Sequence, residues 1–208
     1  MTATNPVDGH AIIPVIVIDD PEQARDLARA LSAGGIHCAE VTLRTPAALD
    51  ALRLMTAVPN FLAGVGTVRT LAELEAAHAA GAAFAVSPGL DDEVVSAAAR
   101  LGIGLLPGVA TATEVQRAMR LELSVVKFFP ADRLGGLATI RALRGPYPEM
   151  GFVPSGGVTA TSAVEYLAYE GVPAVSGSWM APRDLIAAGD FETIERLSAE
   201  STAALGSP

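Results

Sequence analysis

The stretch Ile12–Leu43, IIPVIVIDDPEQARDLARALSAGGIHCAEVTL, carries the fold in one repeat. Ile12–Ile18 is an apolar, β-branched run of the kind found in strands buried on both faces. Asp20-Pro21 then offers a helix N-cap followed by proline at the first helical position. Ala24, Leu27, Ala28 and Leu31 recur at i, i+3, i+4 and i+7, which places them on one helix face. Gly34 falls where that helix should stop, and His37–Leu43 is a second strand-like run.

The same alternation continues through Phe61–Gly66, Ala83–Ser87, Ile103–Leu106, Ser124–Phe129, Phe152–Ser155 and Pro173–Ser176. Eight strands are therefore expected to alternate with eight helices. Thr45-Pro46 repeats the cap-and-proline signal, Thr70 with Glu73 and Thr111 with Glu114 fit capping boxes, and Gly81, Gly102 and Gly171 fall at expected helix ends. Strand ends recur every ~20 to 27 residues with no linker between them, the length of a compact βα unit. The expected fold class is α/β, a (β/α)8 TIM barrel forming one domain over residues 1–208, with Met1–His10 as a polar N-terminal tail. An open doubly wound sheet of eight strands would satisfy the same alternation, although the short loops favour closure. In a barrel, chemistry is expected at the C-terminal ends of the strands.

Composition narrows the function. Half of the 208 residues are apolar, enough to build a core by packing alone. The formal charge of −9, with no run of Lys or Arg, argues against a nucleic-acid partner. Met1–His10 has no basic segment, and no apolar run approaches the ~18 residues of a membrane span, so neither secretion nor a membrane is expected. The single cysteine, Cys38, excludes an intramolecular disulfide and fits a cytoplasmic location, with Cys38 read as core.

Of fourteen basic residues, one is lysine. Lys127 lies within Ser124–Phe129, where alternation puts Val125, Lys127 and Phe129 on one face, assigned to the barrel interior. Burial among apolar neighbours favours a free amine able to attack a ketone, which an arginine cannot supply. A lysine snorkelling to the strand end or sealing a buried ion pair is the competing reading. Glu40, Thr42 and Arg44 share a face of the second strand, also assigned inward. Glu40 would serve as acid/base and Arg44 would grip the carboxylate of a 2-oxo acid, unless the two merely pair with each other.

Other strand ends add groups to the same rim. Gly64-Val65-Gly66-Thr67 offers the Thr67 hydroxyl, and Ser87-Pro88-Gly89 brings backbone near the pocket. Ser155-Gly156-Gly157 and Ser176-Gly177-Ser178 follow the seventh and eighth strands, the usual barrel site for phosphate, although glycine pairs are also ordinary turn chemistry. His10, His37 and His78 fall in the tail, at a strand start and in a helix, so no metal site is expected, and no dinucleotide fingerprint or Ser-His-Asp set is present.

Read together, Glu40-Val41-Thr42-Leu43-Arg44-Thr45, Gly64-Val65-Gly66-Thr67-Val68, Ser87-Pro88-Gly89, Pro107-Gly108, Lys127-Phe128-Phe129-Pro130-Ala131 and Gly177-Ser178-Trp179 resemble the 2-dehydro-3-deoxy-phosphogluconate (KDPG) aldolases, which also act on 4-hydroxy-2-oxoglutarate (KHG). The match runs from about Ile12 to Phe191. The resemblance implies a homotrimer of cofactor-free barrels that cleave 2-dehydro-3-deoxy-6-phospho-D-gluconate to pyruvate and D-glyceraldehyde 3-phosphate, the last step of the Entner–Doudoroff route. It assigns Lys127 to the Schiff base and Glu40 to acid/base work. Arg44, Thr67 and Pro88 would hold the pyruvyl end, with Gly156, Gly157 and Ser178 on the phosphate. Two positions depart from the pattern: Ser155 replaces the usual threonine before Gly-Gly, and Ser176 replaces the first glycine of Gly-Gly-Ser-Trp. Both are carried as substrate-binding candidates with Gly177, and both bear on substrate reach and stereochemistry. Trp179 fits either packing or the site. Aldolases for the phosphogalactonate epimer or mainly for KHG share this chemistry, and a non-catalytic barrel binding a phosphorylated sugar acid would keep the glycine loops without using Lys127 as nucleophile.

Overall fold

A computed structural model describes Pro6 and Asp8–Leu205, so most of the expected N-terminal tail lies outside the described residues. The strands are β1 (Ile12–Ile16), β2 (Cys38–Thr42), β3 (Leu62–Gly66), β4 (Phe84–Val86), β5 (Gly104–Leu106), β6 (Gly108–Val109), β7 (Val125–Phe128), β8 (Gly151–Pro154) and β9 (Val175–Gly177). Every named pair is parallel.

Two ladders, β5-β4-β3-β2-β1-β9 and β6-β7-β8, make one barrel. They join on one side through Pro107, which separates β5 from β6, and whose carbonyl accepts the Lys127 N–H at 2.9 Å. They join on the other through a parallel bridge between Ser155 and Ser176. The fifth expected strand, Ile103–Leu106, is β5, and the unpredicted short strand β6 continues its course beyond Pro107, where proline has no N–H to give a ladder. Gly108 follows at a point where a Cβ would lie 2.2 Å from the Pro88 carbonyl oxygen, so β6 runs directly against the loop after β4.

The helices are α1 (Ala24–Ala33), α2 (Ala48–Thr56), α3 (Leu71–Ala79), α4 (Asp92–Leu101), α5 (Ala112–Arg120), α6 (Gly136–Arg144), α7 (Ala160–Leu167), α8 (Arg183–Ala188) and α9 (Phe191–Ala204). Ala24, Leu27, Ala28 and Leu31 of α1 are all fully buried, as their spacing requires. The eighth βα unit ends in two helices rather than one, broken at left-handed Gly189, and α9 lies on α1 to complete the helical layer. Gly34 permits that contact: a Cβ there would sit 2.4 Å from the Ser198 Cβ. Its φ of −80° shows that close approach, not a left-handed cap, is what demands glycine.

Local signals were honoured unevenly. Thr111 and Glu114 form a complete capping box. Thr70 caps α3, but the Glu73 carboxylate instead accepts the Arg69 backbone N–H at 2.6 Å and pairs with its guanidinium. Asp20 caps a 3-10 turn, Pro21–Gln23, that leads into α1. Thr45 caps nothing: its hydroxyl donates to the Ile18 carbonyl at 2.6 Å, tying the loops after β1 and β2 together. Gly102 is a left-handed cap, whereas a Cβ on Gly171 would collide with the Arg144 side chain.

Two apolar layers follow from strand alternation. Ile16, Val41, Val65, Ala85, Val126, Phe128 and Phe152 point outward and pack with the helices. Ile13, Cys38, Phe84, Val86, Leu106, Val153 and Ala174 fill the barrel. Burial pushes the Cys38 thiol up to about 12, with the nearby Glu40 charge adding to the effect.

Candidate active site

Above the apolar filling, the interior turns polar. Glu40, Thr42, Lys127, Ser155 and Ser176 are buried there among the described residues. The register explains how they converge, since paired residues of parallel strands face the same way. Val15 pairs with Glu40, Lys127 with Val153 and Ser176 with Ile13, and both Val153 and Ile13 belong to the inner layer. Lys127 therefore points inward, as alternation from Val125 predicts.

Lys127 Nζ lies 3.4 Å from Glu40 Oε1, joining residues 87 apart in the chain. The lysine side chain is 7% exposed and the glutamate 1%, so water screens the pair poorly. Nζ also lies over the Phe129 ring, 5.4 Å from its centroid. A carboxylate this close can take the proton that an ammonium must lose before it attacks a carbonyl, and can return it to an oxygen that leaves.

Glu40 is held asymmetrically. Oε1 also accepts the Ser176 hydroxyl at 3.0 Å, while buried Oε2 has no hydrogen-bond partner among the described residues. Gly66 makes room for Oε2: a Cβ there would stand 2.3 Å from it. Gly64, one step down the same face, makes room for the Phe84 ring, 2.4 Å from its own missing Cβ. The two glycines of Gly64-Val65-Gly66 are thus notches for a ring and a carboxylate.

The other expected residues stand on the C-terminal rim. Arg44 differs from its expected inward place, because β2 ends at Thr42 and the Arg44 N–H turns back onto the Thr42 carbonyl at 2.7 Å. Its side chain is exposed and makes no ion pair among the described residues, so the Glu40–Arg44 pairing is replaced by Glu40–Lys127. Thr67 follows β3 directly and is half-buried, with a φ of 63° that a β-branched residue tolerates only under local constraint. Pro88 sits in the loop after β4, where the buried Ser87 hydroxyl donates to the Gly89 carbonyl at 2.7 Å.

Gly156 and Gly157 follow β8 with φ of 91° and 77°, and a Cβ on Gly157 would meet Asp132. Gly177 ends β9, and exposed Ser178 follows it. Trp179 resolves toward packing: its indole N–H donates to the Ser201 hydroxyl of α9 at 2.9 Å, and its ring fills the space beside Gly177.

At the opposite end of the barrel, His10 and His37 help to line a cavity of about 750 Å³. His10 is held below the usual imidazole range by burial first and the nearby His37 charge second. His78 is on α3, and no group of three potential metal-ligating side chains occurs among the described residues. No helix of the described residues is long and apolar enough to cross a membrane. Sequence reasoning missed the Ser155–Ser176–Glu40 arrangement and the Gly108–Pro88 contact, which join distant segments that no local pattern relates.

The family model described as KDPG and KHG aldolase matches residues 5–197. A 2-dehydro-3-deoxy-phosphogluconate aldolase of Treponema pallidum is 45% identical over 196 residues, covering 94% of this chain and 93% of the relative. The 2-keto-3-deoxy-6-phosphogluconate aldolase of Zymomonas mobilis, solved with 3-phosphoglycerate, superimposes with a TM-score of 0.87 at 40% identity, covering 97% of this chain and 93% of that one. The KDPG aldolase of Legionella pneumophila, solved with pyruvate captured as a covalent carbinolamine intermediate, gives a TM-score of 0.87 at 41% identity over 95% and 94% of the two chains. With a barrel of the same course and one buried amine–carboxylate pair inside it, this chain belongs to the KDPG and KHG aldolase family.

Proposed function

We propose that the protein cleaves 2-dehydro-3-deoxy-6-phospho-D-gluconate to pyruvate and D-glyceraldehyde 3-phosphate through a Schiff base on Lys127. The buried Lys127–Glu40 pair carries this reading, because it brings a nucleophilic amine and a proton carrier within 3.4 Å of each other inside the barrel mouth. Glu40 takes a proton from the ammonium, Nζ attacks C2 of the substrate, and a second proton passes from Nζ to the former carbonyl oxygen to give the carbinolamine. The carbinolamine loses that oxygen as water, with Glu40 as the acid, leaving a protonated imine. Glu40 then removes the C4 hydroxyl proton, the C3–C4 bond breaks, and its electrons flow toward the imine nitrogen. The aldehyde leaves, the enamine takes a proton at C3, and water hydrolyses the imine to release pyruvate. No metal or cofactor enters any step.

In this scheme the exposed Arg44 guanidinium binds the substrate carboxylate by its planar fork, with the Thr67 hydroxyl and the Pro88 loop completing the pyruvyl pocket. The backbone of Gly156 and Gly157, with the Ser178 hydroxyl, takes the phosphate. Gly177 gives the chain room beside Trp179. The family description, which pairs KDPG with KHG, supports the unphosphorylated 4-hydroxy-2-oxoglutarate as a second substrate. A homotrimeric assembly and a cytoplasmic location complete the proposal, to be checked by light scattering and cell fractionation.

The decisive test is borohydride reduction in the presence of pyruvate. A mass adduct on the Lys127 peptide with loss of activity is expected, and labelling confined to the N-terminal amine would refute the nucleophile assignment.

A further inference from the structure

Ser176 stands in β9 where the family pattern leads one to expect glycine, and its hydroxyl is not directed at the rim. It is buried at 1% exposure and donates to Glu40 Oε1 at 3.0 Å, closer than the lysine that shares the same oxygen. A hydroxyl has one proton to give, so with that proton on Glu40 the Ser176 oxygen remains free to accept. Ser155, also buried, donates to it at 3.5 Å across the bridge that closes the barrel between β8 and β9. Oε2 has no partner among the described residues, so Lys127 and Ser176 are the side chains that hold the carboxylate.

We propose that Ser176 is a positioning residue for Glu40: its hydroxyl fixes Oε1 beside the reacting centre while the Lys127 nitrogen passes from a three-donor ammonium to a planar protonated imine with one N–H, and Ser155 supports Ser176 from behind. The inference rests on the acid/base reading of Glu40. During the cycle the Lys127 nitrogen is bonded to substrate carbon, while Ser176 is chemically unchanged. The carboxylate must nevertheless stay placed to move a proton at the C4 hydroxyl, and a hydrogen bond to a charged group is strong enough to do this.

The test compares kcat and KM for the phosphorylated substrate in wild type, Ser176→Ala, Ser176→Gly, Ser176→Thr, Glu40→Gln and the Glu40→Gln/Ser176→Ala double variant, with folding checked by circular dichroism. Both hydroxyl-less variants should lose about tenfold in kcat with KM changed by less than about twofold. Ser176→Thr should retain most of kcat, and the double variant should be no slower than Glu40→Gln. A rise in KM at unchanged kcat would make Ser176 a substrate contact and overturn the proposal, as would an unchanged kcat in Ser176→Ala or a further loss in the double variant. A near-normal rate in Glu40→Gln would instead remove the acid/base reading itself, which separates the two failures.

Discussion

Lys127 and Glu40 take interior positions two residues beyond Val125 and Cys38, which lie on the same inward faces of β7 and β2. Removing one partner of such a pair leaves the other charge buried without compensation, at a cost of about 3 to 5 kcal/mol. A charge-conserving change therefore separates chemistry from stability. Lys127→Arg should keep the fold while abolishing turnover, since the guanidinium does not give up its proton to become a nucleophile. Kinetics alongside thermal unfolding would check this, and retained turnover would exclude Lys127 as the Schiff-base residue. Arg44 teaches a different point at the same scale. Its type suggested a carboxylate grip, but its inward direction was extrapolated from strand alternation past the point where the strand ends.

At the scale of elements, β3 shows how glycine shapes a site. Gly64→Ala and Gly66→Ala add the same methyl two residues apart on one face, against the Phe84 ring and the Glu40 carboxylate respectively. Gly64→Ala should act as core overpacking, costing about 1 to 3 kcal/mol in chemical denaturation with a smaller effect on rate. Gly66→Ala should show the reverse, with kcat falling by about tenfold or more as the carboxylate is displaced from Lys127. Equal losses of stability and rate in both variants would refute this division. Strand β2 offers a second check through Cys38, buried with its thiol pushed up to about 12. The thiolate is the reactive form, so the native protein at pH 8 should resist thiol reagents over hours and react within minutes in denaturant. Rapid native labelling would mean that β2 opens readily.

For the whole molecule, the prediction concerns how the rim divides its work. Ser178 follows β9 and lies outside the buried pair, so Ser178→Val should spare imine formation. If the loops after β8 and β9 bind phosphate, kcat/KM for the phosphorylated sugar acid should fall at least tenfold more than that for 4-hydroxy-2-oxoglutarate. Equal slowing of both substrates would exclude this rim as a phosphate site.

The alternation of strand and helix, the burial of Ala24, Leu27, Ala28 and Leu31, the capping box of Thr111 and Glu114, and the inward direction of Lys127 were all legible in the chain. Each depends on a period of 2 or 3.6 or on contacts within a few residues. Glu40 was legible as the acid/base candidate, because a carboxylate placed inside a barrel needs a reason, whereas its contact with Lys127 in place of Arg44 was not. The tertiary structure alone decided which carboxylate oxygen faces the amine, which hydroxyl holds it, why Gly34, Gly66 and Gly108 must lack a Cβ, and that β6 continues the course of β5 beyond Pro107 while the barrel still closes. These are contacts between segments tens of residues apart, from Glu40 to Ser176 or Gly34 to Ser198, and they are fixed by barrel closure and register, which no local window of sequence contains.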